Sequence, residues 1–85
     1  MIDFEKNIFI DEGFTPQFLF QFLHSTSGTK RYHVSVTIAD NQVLFFEIEQ
    51  RPHSIWRIID APKVPEWIKK IEEQIISAVV ETSIT

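Results

Sequence analysis

Glu47 and Glu49, within the stretch FFEIEQRPHSIWRI, are the side chains of this sequence best spaced for chemistry. On an extended chain, residues two apart project from one face about 7 Å from each other. Paired carboxylates near that separation serve as general acid and base. The sequence also supplies a ready countercharge across the ladder for each, Arg57 and His33, which is the pattern of a salt-bridged strand surface. His33, Glu47, Glu49 and Arg57 are therefore read as a polar cluster on a strand surface, and no catalytic residue is assigned. The three histidines, His24, His33 and His53, lie in unrelated local contexts and in no HxH or HExxH spacing. A catalytic zinc needs three convergent protein ligands, so no metal site is expected. Gly28 in STSGTK lacks the spacing of a phosphate-binding loop, no serine sits in a nucleophile motif, and no cofactor is expected.

These residues must be positioned by strands. Arg31–Ala39 alternates, with Tyr32, Val34, Val36 and Ile38 on one side and His33, Ser35 and Thr37 on the other, the period of a half-buried strand. Asp40-Asn41 supplies turn chemistry. The following run QVLFFEIEQ is apolar at both parities, so its orientation has to come from register. Pairing Ile38 with Leu44, Val36 with Phe46 and Val34 with Ile48 sets apolar residues against apolar partners, whereas a one-residue slip sets Val34 against Glu47 and Tyr32 against Glu49. In the next hairpin, Ile48 opposite Trp56 and Phe46 opposite Ile58 leave Arg51-Pro52-His53 as the turn. That register sets Glu47 opposite Arg57, His33 opposite Glu49 and Phe45 opposite Ile59. The expected core face is Tyr32, Val34, Val36, Ile38, Leu44, Phe46, Ile48, Trp56 and Ile58.

Downstream, the stretch APKVPEWIKKIEEQIISAVVET reads as a helix. Pro65 suits its first position, and Glu66 complements the positive N-terminal end of the helix dipole. Trp67, Ile68, Ile71, Ile75, Ala78 and Val79 recur at helical spacing and form the stripe that lies on the sheet, while Ile76 and Val80 fall off it. Upstream, TPQFLFQFLHS fits a helix capped by Thr15 or a strand with Phe18, Phe20 and Phe22 on one face. The strand is favoured, because it pairs Phe22 with Tyr32, Phe20 with Val34 and Phe18 with Val36. The N-terminal stretch MIDFEKNIFIDEG offers Phe4, Ile8 and Ile10 for packing without showing where.

Composition bounds the function. A chain of 85 residues is expected to form a single small domain, and its eight phenylalanines and two tryptophans give it the means to build one core. The absence of cysteine excludes disulfides and thiolate chemistry and fits a reducing compartment, so a cytoplasmic setting is expected. The N-terminus has no apolar region of the secretory type, and no apolar run approaches the roughly 20 residues needed to cross a bilayer. The formal charge of −4, with scattered bases, is unlike the concentrated basic footprint of nucleic-acid binders. Neither a membrane nor a nucleic acid is expected as a partner.

The fold class expected is α+β: an antiparallel meander of three or four strands packed on one C-terminal α-helix. Phe45, Ile55 and Ile59, on the face turned away from the helix, and Ile76 and Val80, beside its apolar stripe, are the candidate interface residues. The outer face is either covered by the N-terminal segment or exposed for contact. The leading expectation is a small non-enzymatic module that binds a protein partner or forms a homodimer. The alternative is a pocket between helix and sheet, lined by Trp56, Trp67 and Phe20, that takes a small apolar ligand.

Overall fold

The computed structural model describes residues 2–23, 27–59 and 63–84. His24 and the first two residues of the stretch read as helical, Ala61 and Pro62, lie outside that set. Among the described residues five strands form one antiparallel sheet in chain order: β1 (Phe4–Asn7), β2 (Gln17–Leu23), β3 (Lys30–Thr37), β4 (Val43–Gln50) and β5 (Arg57–Ile58). Two consecutive helices follow, α1 (Glu66–Lys70) and α2 (Glu72–Ile84). The architecture is α+β, a meander carrying C-terminal helix, with one strand more than expected.

Residues 17–23 are a strand, and their register is the one the phenylalanine alternation implies: Phe18 opposite Val36, Phe20 opposite Val34, Phe22 opposite Tyr32. The extra strand is β1, which pairs Phe4 with Phe20 and Lys6 with Phe18. It is held by its aromatic end: the Phe4 ring stacks on Phe20 at 4.4 Å and meets Tyr32 edge-on at 5.5 Å. The Tyr32 hydroxyl donates to the Ile2 carbonyl at 2.8 Å, and the Phe22 N–H donates to the Asp3 carboxylate at 2.8 Å. The N-terminal segment thus lengthens the sheet beyond β2, at the edge opposite β4 and β5.

The parity expected for β3, β4 and β5 holds, and the register differs by two residues in both hairpins. Val34 lies opposite Phe46 and Val36 opposite Leu44. The β3–β4 connection is centred one residue earlier than expected because Asp40 and Asn41 both adopt left-handed conformations (φ 63° and 59°), and the Ile38 N–H donates to the Gln42 carbonyl at 2.7 Å. Asp and Asn tolerate that region better than other non-glycine residues. In the second hairpin a four-residue turn closes with the Ser54 N–H donating to the Arg51 carbonyl at 3.0 Å, with His53 at φ 61°. The wider loop sets Ile48 opposite Ile58 and Glu49 opposite Arg57. Trp56 is then not a ladder partner of Ile48; it packs 5.7 Å from Tyr32.

The core lies between the even-numbered face and the helices. Phe18, Phe20, Tyr32, Val34, Val36, Phe46, Ile48, Trp56 and Ile58 are buried there against Ile68, Ile71, Ile75, Ala78 and Val79, while Leu44 and Trp67 are half-buried around them. Each fully buried side chain of this size contributes about 1.5 to 3 kcal/mol. Pro65 is the N-cap and not the first helical residue, and its carbonyl accepts from the Ile68 and Lys69 N–H groups. Ile71 interrupts the helix with φ −104° and ψ 17°. One residue later the Glu72 carboxylate accepts from the Ile58 N–H at 3.1 Å, tying the helical segment to the short edge strand. Among the described residues no helix is long and apolar enough to cross a membrane.

Candidate functional site

Because side chains alternate across a strand, the register that buries the even positions turns every odd position of β2, β3 and β4 to the outer face. Three rows cross it. Leu19, Ser35 and Phe45 form the first; Gln21, His33 and Glu47 the second, with Ile59 donating its N–H to the Glu47 carbonyl at 2.8 Å; Leu23, Arg31, Glu49 and Arg57 the third.

The first row is open, with Ser35 between Phe45 and Leu19 and Glu5 of β1 on the far side of Leu19. Phe45 is 64% exposed, and Leu19 and Val43 are also exposed. The His33 ring stacks on Phe45 with centroids 5.3 Å apart. Its Nδ1 lies 3.8 Å from the Glu47 carboxylate. The imidazole is therefore held between an aromatic face and an acid, which limits the freedom of the Phe45 ring. A groove of about 270 Å³ opens beside them, lined by His33, Phe45, Glu47, Ile59 and Lys63.

The four residues read as one polar cluster sort into two sites. His33 faces Glu47 rather than Glu49, and Arg57 faces Glu49 rather than Glu47, both consequences of the two-residue register difference. Glu49 is the more unusual of the two acids: it points to the outer face, yet its side chain is only 5% exposed. Three guanidinium groups cover it, with Arg51 Nε at 3.2 Å, Arg57 Nη2 at 3.5 Å and Arg31 Nη2 at 3.5 Å. Arg31 and Arg51 were not among the expected site residues. Their signal was present in the odd numbering of residues 31, 49, 51 and 57, but it converges only in the observed register.

The candidate interface residues do not form one patch. Phe45 and Ile59 line the same groove as diagonal neighbours, not as direct cross-strand partners. Ile55 is fully presented, at 80% exposure, but lies beyond Arg57 toward the Arg51–Ser54 turn, so the arginine row stands between it and Phe45. Ile76 is half-buried against the core, and Val80 is exposed on α2 on the opposite side of the sheet. Of the residues named for a helix–sheet pocket, Phe20 and Trp56 are core side chains, and Trp67 meets Phe14 edge-on at 5.8 Å.

Among the described residues no group of three or more acidic or histidine side chains is arranged to hold a metal. Burial, followed by the nearby Asp3 charge, raises the Tyr32 phenol above its ordinary pKa. That group serves the packing of the N-terminal strand. No family model matches the chain, and neither the curated proteins nor the solved structures contain a match to it.

Proposed function

We propose that this chain is a small non-enzymatic protein-binding module that self-associates through the outer face of its sheet. The observation that carries the reading is Phe45: a large aromatic side chain at 64% exposure, on an interior strand of the sheet, oriented by the His33 ring, with exposed Val43 two residues before it on the same strand and exposed Leu19 two strands away, beyond Ser35. Aromatic side chains so placed are typical anchors of protein contacts, since they bring much apolar area at small conformational cost. A second copy is the simplest partner, because one patch brought against itself about a twofold axis satisfies both sides at once. The groove between Phe45, Ile59 and Lys63 supplies the recess that an opposing ring needs.

Light scattering from micromolar to millimolar concentration, on the parent and on Phe45→Ser, tests the proposal. The expected result is a concentration-dependent mass that Phe45→Ser abolishes, with a denaturation midpoint close to that of the parent. A parent that stays monomeric throughout that range contradicts self-association. A strongly destabilised Phe45→Ser contradicts the placement of Phe45 on an open surface.

A further inference from the structure

At the other end of the outer face, Arg31, Arg51 and Arg57 converge on one carboxylate, and the charges do not balance. Three guanidinium groups lie within 3.5 Å of Glu49, which neutralises one of them. The remaining two positive charges sit in a chain whose overall formal charge is −4, so this is a local concentration of cations and not a reflection of a basic protein.

The register makes the concentration unavoidable. Arg31 on β3 and Arg57 on β5 are the two cross-strand partners of Glu49 on β4, and Arg51 follows two residues later, held by the turn that Ser54 closes. Adjacent strands are about 4.8 Å apart, so the three side chains start within reach of one another and lean over the same acid. Each guanidinium carries five N–H donors in a rigid fork. Each places a single nitrogen on Glu49, while the side chains remain 48%, 62% and 57% exposed for Arg31, Arg51 and Arg57. Glu49 lies beneath at 5% exposure, so an incoming anion meets donors and not the carboxylate.

From this geometry we infer that Arg31, Arg51 and Arg57, organised by Glu49, form a binding site for a doubly charged oxyanion of the phosphate-monoester class. Among the described residues the three guanidinium groups share one acid at ion-pair distance, an excess of positive charge that suits a dianion, and a phosphate monoester carries about −1.5 to −2 near neutral pH. Its three terminal oxygens can each take donors from a different guanidinium, whereas a carboxylate has two oxygens in one plane. Arginine is the side chain whose fork pairs with phosphate in bidentate fashion. Glu49 acts as a positioning residue: it draws the three side chains together and partly relieves their mutual repulsion. The inference is independent of what covers Phe45, which lies two rows away on β4.

The probe is phenyl phosphate, titrated into the full chain at about pH 8, where a monoester with a second pKa near 6 is doubly charged. Ionic strength is held constant with chloride, and the arginine Nε–H signals and the Glu49 amide are followed by nuclear magnetic resonance. Saturable shifts confined to Arg31, Arg51, Arg57 and their neighbours are expected, with benzoate at least about tenfold weaker. Arg51→Gln removes a side chain in the exposed turn, leaves Glu49 two partners, and should weaken binding about tenfold, the equivalent of one charge-assisted contact. Lys70→Gln, a charge change on an exposed helical position, should leave binding unchanged. Shifts that do not saturate, equal binding of benzoate, an unaffected Arg51→Gln, or equal weakening by Lys70→Gln would each overturn the assignment.

Discussion

A double-mutant cycle between Glu49 and Arg57 measures the hairpin register as an energy. The two residues are cross-strand partners with a nitrogen–oxygen separation of 3.5 Å, whereas no ion pair joins Arg57 to Glu47. Exposed ion pairs contribute about 0.2 to 1 kcal/mol. Burial of the Glu49 carboxylate raises this pair within that range, while the 57% exposure of Arg57 and the sharing of Glu49 with Arg31 and Arg51 lower it. The expected coupling is about 0.5 to 1 kcal/mol for Glu49→Ala with Arg57→Ala, and close to zero for Glu47→Ala with Arg57→Ala. Glu49→Ala alone should cost more than any single arginine change, because it removes the partner of three cations; their exposure to water keeps the loss near about 1 to 2 kcal/mol, below the 3 to 5 typical of breaking a fully buried pair. Urea denaturation at low and high salt supplies the four free energies of each cycle. A coupling of Arg57 with Glu47 that exceeds its coupling with Glu49 would refute the register and the arginine cluster built on it.

Three further outcomes follow from the packing. Tyr32→Phe removes the hydrogen bond to the Ile2 carbonyl and should cost about 1 kcal/mol by chemical denaturation. Because the folded-state pKa of Tyr32 is raised, its contribution is fully present below the unfolded value near 10 and is lost as pH rises through the folded value; stability should therefore fall in that alkaline range, and Tyr32→Phe should flatten the fall. Phe20→Ala, which opens a hole beneath Phe4 and Tyr32, should cost about 3 to 5 kcal/mol, and a loss below about 1 kcal/mol would contradict the stacking of β1 on β2. Gly28→Ala places a Cβ 3.3 Å from Pro52 Cγ at a position with φ 79°, so a loss of about 1 to 2 kcal/mol is expected; an unchanged midpoint would show that Gly28 is not in this conformation.

Alternation along β2 and β3, together with apolar-to-apolar pairing across to β4, was enough to read which residues face the core. Phe18, Phe20, Tyr32, Val34, Val36, Phe46 and Ile48 repeat with a period of two, and Ile68, Ile71, Ile75 and Val79 with that of a helix, so burial followed directly. Parity, however, does not distinguish registers two residues apart: Val34 finds an apolar partner in either Phe46 or Ile48. The choice is made in the turns, where Asp40, Asn41 and His53 take left-handed conformations that a chain without glycine at those positions does not advertise. β1 was hidden for a different reason. FEKN has a single apolar residue and no alternation, and what makes it a strand is the long-range stack of Phe4 on Phe20. The arginine cluster was hidden behind the same register: with Arg57 opposite Glu47, nothing brings Arg31, Arg51 and Arg57 to one carboxylate.

Self-association, as proposed above, places the outer sheet face, with Phe45 on it, against the same face of a second copy. Isotope-filtered nuclear Overhauser spectroscopy on an equimolar mixture of labelled and unlabelled chain, at the highest concentration the protein tolerates, reads that contact. Intermolecular contacts from the Phe45 ring to outer-face side chains of the other copy, chiefly Leu19, Val43 and Phe45 itself, are expected. Intermolecular contacts that arise instead from Val80 on the helical side, or none from Phe45 at a concentration where the mass shows a dimer, would contradict it.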